Sequence, residues 1–152
     1  MLPLEAEYRS RPFPPATEAD IRAFEKAHGE ALPPSFRAFL KIHNGWQCFW
    51  GAFWITGVSG PAKRRVDARL REATKDDVLA DAEWTPKENL VVGADDNDGF
   101  LVFDAKPTEN GERKVLDCPR GFPENTFASF ADLLAVQLAC REKEIAKLPK
   151  AL

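Results

Sequence analysis

"LPPSFRAFLKIHNGW", residues 32–46, decides how the rest of the chain is read. Pro33 and Pro34 suit the first turn of a helix, where an amide proton has no partner to lose. Phe36, Phe39, Leu40 and His43 then recur at helical spacing and make one short apolar face. Asn44-Gly45 offers the left-handed backbone that ends a helix, and the chain leaves toward Trp46. Taken alone, the stretch is a helix and its exit into a strand. Its residue types carry no evident chemistry, so function must come from the rest.

Upstream, residues 1–16 are rich in proline and read as an extended arm, with residues 17–152 forming one domain. Thr17 opens a helix, and Asp20 three positions on completes a capping-box pattern. Ile21, Phe24 and His28 share a face, and Gly29 is the stop. Downstream, "WQCFWGAFWIT" (residues 46–56) reads as one strand, or as two broken at Gly51. Strict alternation would put Trp46, Cys48 and Trp50 on one side and Gln47 and Phe49 on the other. One side is then core and the other is covered by helices or a partner. "GVSGPAKRR" (57–65) reads as a loop, and the polar run 67–82 as a helix.

The clearest β signal lies further on. Strands near 90–94, 100–105 and 112–117 are separated by "DDNDG" and "KPTENG", turn-rich segments that favour an antiparallel meander. Ser129 and Asp132 make a second capping-box pattern, opening a helix whose Phe130, Leu133, Leu134, Leu138 and Ile145 line one side. The expected architecture is α+β: two N-terminal helices, an antiparallel sheet, and a C-terminal helix packed on it.

Composition narrows the function classes. With 44% hydrophobic and 30% charged residues, the chain is neither disordered nor membrane-embedded in type. No stretch has the apolar length of a membrane span. The opening "MLPLEAEYRSRPFPP" has acids and prolines where a secretion signal needs a greasy run, so a cytoplasmic protein is expected. Three widely separated cysteines, Cys48, Cys118 and Cys140, suit a reducing compartment. A net charge of -3 speaks against general nucleic-acid binding.

Candidates for chemistry are few. "DDNDG" (95–99) alternates oxygen ligands but fails the calcium-loop pattern: its glycine comes fifth, and Lys106 holds the twelfth position, where a glutamate is needed. A hairpin turn is the expectation. No cysteines or histidines stand at metal spacing; His28 and His43 sit on presumed core faces, and the thiols read as buried and inert. Phosphate-binding, dinucleotide and nucleophile-elbow motifs are missing. No catalytic residue, metal or cofactor is therefore assigned. "KRRVDARLR" (63–71) is basic and reads as a solvated helix start, while residues 72–98 carry nine acids against Lys75 and Lys87. That acidic run would suit a partner with a basic cleft.

"IRAFEKAHGEALPPSFRAFLKIHNGW" (21–46) resembles the signature of the SUKH superfamily, in the branch named for the yeast cell-wall regulators Smi-one and Knr-four. The "I..FE" helix, "LP", the aromatic-basic helix and the "NG" exit carry the likeness. "WTPKENLVVGADDNDGFLVFDAK" (84–106) and "FASFADLLAVQL" (127–138) are similar to later blocks of the same family. The family often shows "NGG" where Asn44-Gly45-Trp46 stand here, and residues 57–83 match no block.

The resemblance implies a binding protein without catalytic residues. Small bacterial members are mostly immunity proteins that neutralise a cognate polymorphic toxin domain, often a nuclease or deaminase, by occluding its active site or substrate cleft. The fungal relatives are regulatory scaffolds, which is the alternative. On the immunity reading, Asp95, Asp96 and Asp98 would oppose a basic groove in the toxin, with Trp46 or Trp50 as the apolar anchor. The expected partner is thus a protein, with no direct nucleic-acid or membrane contact, and the expected state is a monomer.

Overall fold

The computed structural model describes residues 9–76, 79–119 and 124–147, with the side chains of residues 141, 144 and 145 outside the description. The architecture is α+β: four helices and one seven-stranded antiparallel sheet. In chain order the elements are β1 (Arg11–Pro12), α1 (Glu18–His28), α2 (Pro34–Leu40), β2 (Trp46–Trp50), β3 (Phe53–Ile55) and α3 (Gly60–Lys75). Then come β4 (Val91–Ala94), β5 (Gly99–Pro107), β6 (Arg113–Pro119), β7 (Asn125–Phe127) and α4 (Phe130–Ala146). The strands lie side by side in sequence order.

Local chemistry sets the helix ends. Thr17 Oγ1 accepts from the Asp20 amide at 3.1 Å, and Gly29 closes α1 with φ +88°. Pro34 occupies the first turn of α2. Ser129 Oγ accepts from the Asp132 amide at 3.2 Å and donates to its carboxylate at 2.8 Å, opening α4. The Glu112 carboxylate, one residue before β6, accepts from both the Ser35 amide and hydroxyl at the head of α2.

Two clasps hold the opening stretch in place. Glu25 accepts from the Leu32 amide at 2.8 Å and from Arg37 Nε at 3.3 Å, while the other arm of Arg37 forks onto Glu18. These contacts fix α2 against α1. Further along, the Asn44 amide donates to the Pro14 carbonyl at 2.8 Å. Its side chain accepts from the Val58 amide at 2.9 Å and donates to Ser59 Oγ at 3.0 Å. Gly45, at φ +99°, lies so close to Ala62 and the 55–57 backbone that there is no room for a Cβ. Asn44-Gly45 thus joins the arm, α2 and the head of α3, four residues after α2 has ended.

The sheet is covered on both faces. β5 shows the alternation: Leu101 and Phe103 enter one core with Ile21, Phe36, Leu40 and Phe130, whereas Phe100 and Val102 enter another with Val66, Trp84 and Cys118. The first lies under α1, α2 and α4, the second under α3 and the 79–84 segment. At its centre Phe36 meets the edges of Phe103 and Phe130, with centroids 5.5 and 5.0 Å away.

Several expectations need correction. The 57–65 loop gives way to helix at Gly60, because Pro61 costs nothing in a first turn, and that helix stops at Lys75, short of residue 82. Cys48 has φ +49°, which breaks the alternation of β2, so Trp46 and Phe49 touch edge to face at 5.5 Å. In α4 the helix outruns the sheet: Leu138 is 59% exposed and Cys140 is exposed, while Gln137 turns inward. Ile145 falls outside the described side chains. His28, at the end of α1, is exposed on Phe24, with centroids 5.8 Å apart.

The Arg37 clasp carries a pH signature. The Arg37 hydrogen bond, backed by the charges of Arg37 and Lys41, holds the Glu18 carboxyl at about 2, below its ordinary 4.5. A carboxyl with a depressed folded value stabilises fully above its unfolded value and loses that stabilisation as pH falls toward the folded one. The melting temperature should therefore decline from pH about 4.5 toward about 2, and Arg37→Met should flatten that decline. Parallel slopes for both proteins would show that the clasp contributes nothing.

Candidate partner-binding surface

Antiparallel register brings two turns to one end of the sheet. Trp54 pairs with Ala94, so the β2–β3 tip at Gly51–Ala52 and the β4–β5 turn at Asp95–Asp98 are neighbours. At the tip, Trp50 and Phe53 face each other across the hairpin, stacked with centroids 5.3 Å apart and planes at 17°. Both are half-buried and pack against the first core. The tip is a rigid aromatic edge, since each ring is held by the other.

Trp46 does not join it. It sits at the opposite end of β2, edge-on to His43 at 5.0 Å, with Nε1 donating to Ser10 Oγ at 2.9 Å. His43 is tied down in turn, its Nδ1 donating to the Phe13 carbonyl at 3.0 Å. Trp50 thus lies at the same end of the sheet as Asp95, Asp96 and Asp98, and Trp46 lies a strand's length away.

The three acids have separate jobs. Asp95 Oδ1 accepts from the amides of Asn97 and Gly99 at 2.8 and 2.7 Å, building the expected hairpin turn. Asp96 is gripped by Arg65 and Arg69 of α3, at 2.7 and 2.8 Å. Asp98, exposed at φ +59°, makes no ion pair among the described residues. Of three negative charges, one orders a turn, one is neutralised and one faces solvent unpaired. Sequence reasoning missed Arg65 and Arg69, although their i,i+4 spacing placed both on one side of a helix.

The thiols inside the sheet are poor nucleophiles. Burial, then the nearby Asp96 charge, pushes the Cys48 thiol up, and burial pushes that of Cys118 up to about 12. Among the described residues no three His, Cys, Asp or Glu side chains cluster as a metal site, and no helix is long and apolar enough to cross a membrane.

No curated protein matches the chain. Residues 15–136 match the family model described as SMI1 / KNR4 family (SUKH-1), a span that includes both clasps, both cores and the tip. With most of its length accounted for in this way, the chain belongs to the SMI1/KNR4 (SUKH-1) family.

Proposed function

We propose that this protein is an immunity protein, acting in the cytoplasm as a single domain over residues 17–152. It would bind one cognate toxin domain and block that domain's active site or substrate cleft without itself doing chemistry. Family membership supports a protein-interaction role of the immunity or SMI1/KNR4 type. The stacked Trp50–Phe53 pair, at the same end of the sheet as the solvent-facing Asp98, carries the proposal further. Rigid aromatic side chains lose little entropy on binding and dominate interface energetics.

Charge takes a smaller share than the run of acids suggests. Asp96 has already spent its charge on two arginines, and Asp95 orders the turn. Asp98 therefore steers the encounter, Trp50 and Phe53 hold the partner, and Trp46 braces the hairpin from behind.

Co-expression with the product of an adjacent toxin gene, followed by pull-down and growth rescue, tests the reading. Trp50→Ala should weaken toxin binding by about 2 kcal/mol, roughly 30-fold, mainly through faster dissociation. Asp98→Ala should slow association a few-fold and flatten its salt dependence. Full rescue and unchanged affinity with Trp50→Ala would move the interface elsewhere. A gene standing alone, with pull-down of host regulatory proteins, would favour the scaffold alternative.

A further inference from the structure

At the end of β3 away from the aromatic tip, a cleft of about 130 Å³ opens between α1, α3 and the 86–91 segment. Phe24, Leu70, Pro86 and Leu90 supply its apolar lining, with His28 and Thr56 adding polar groups to the wall. At its mouth Lys63 pairs with Asp67 at 2.5 Å and stands over the Phe24 ring at 5.9 Å. The volume suits one aliphatic side chain.

The adjoining surface of α3 has an unusual charge division. Its acids are already answered, Asp67 by Lys63 and Glu72 by Arg69, and Asp96 of the neighbouring turn takes Arg65 and Arg69. Arg64, Arg71 and Lys75 are exposed and enter no ion pair among the described residues. At about 100° per residue these three fall on one stripe with Ala68, about 16 Å long, next to the row formed by Lys63, Asp67 and Leu70. A chain of net charge -3 therefore shows a bare basic ridge beside an apolar slot.

We infer that cleft and ridge form a docking groove for a short acidic segment of a partner protein, with one aliphatic side chain in the slot and carboxylates on Arg64 and Arg71. Patch size decides against a nucleic acid. The ridge ends at Asp76, and exposed Asp81 and Glu83 follow, so a long polyanion leaving the helix would meet repulsion. The groove is separate from the Trp50–Phe53 tip, and its occupancy does not depend on the toxin reading.

Fluorescence anisotropy with a labelled Glu-Asp-Glu-Leu-Glu-Asp-Glu peptide tests this. Binding to the full chain should saturate, weaken about tenfold when the peptide leucine becomes alanine, and weaken at least about tenfold in Arg64→Glu/Arg71→Glu. That variant should keep the melting curve of the parent, because both side chains project into solvent. The inference is overturned by failure to saturate at millimolar peptide, by indifference to the leucine or to the charge reversal, or by equal binding of a charge-matched oligothymidine. A dimer in light scattering that the charge reversal dissolves would assign the groove to a second copy and overturn it as well.

Discussion

Gly45→Ala is expected to cost about 3–5 kcal/mol of folding stability, a large part of the roughly 5–15 kcal/mol that a domain possesses. Two penalties add. The backbone at φ +99° is one that side chains with a Cβ avoid, and the new methyl would lie 2.3 Å from Ala62 Cβ and 2.9 Å from the Ile55 carbonyl oxygen. Neither neighbour is a flexible chain end: one belongs to the buried side of α3 and the other to β3. Gly29→Ala is the control. It shares a positive φ, +88°, but its Cβ would meet nothing within 4 Å, so its loss should stay near about 1–2 kcal/mol. Urea denaturation of the two variants separates conformational strain from collision. Equal losses would mean that the contact around Asn44-Gly45 is far looser than described.

The second large effect belongs to Phe36. It is 1% exposed and touches Phe39, Phe103 and Phe130, rings drawn from α2, β5 and α4. Phe36→Ala should cost about 3–5 kcal/mol, since the three surrounding elements cannot close the void together. Leu138→Ala provides the contrast: a large apolar residue, 59% exposed on the part of α4 that outruns the sheet. Its effect should stay within about 0.5 kcal/mol. Thermal melts of both proteins would test whether the first core is centred where the aromatic edges meet.

Much of this fold was legible because the deciding chemistry is local. Thr17 with Asp20, Gly29, Pro34, Ser129 with Asp132, and the Asp95–Gly99 turn each act within a few residues, so spacing alone exposes them. Failures occurred where a distant contact decides. Gly60-Pro61 looks like loop composition until Asn44 holds the preceding Ser59. Cys48 looks like an ordinary strand residue until its φ of +49° folds Phe49 back toward Trp46. The periodicity of α4 is sound through Leu134 but says nothing about where the sheet beneath it stops. The candidate site divides in the same way. Asp95 and Asp98 could be placed on one turn from the meander, whereas which of Trp46 and Trp50 lies at that end of the sheet, and the capture of Asp96 by a helix 27 to 31 residues away, could not.

The Glu25–Arg37 and Asn44-Gly45 clasps have one more consequence. They lie in the 21–46 block that carries part of the family resemblance, and their polar atoms are consumed in joining the chain's own segments. None of that identity is spent on the aromatic tip or on the outer row of α3. A partner could reach those atoms only by prising the chain's own segments apart, so the clasps hold the shape and recognition falls to other surfaces.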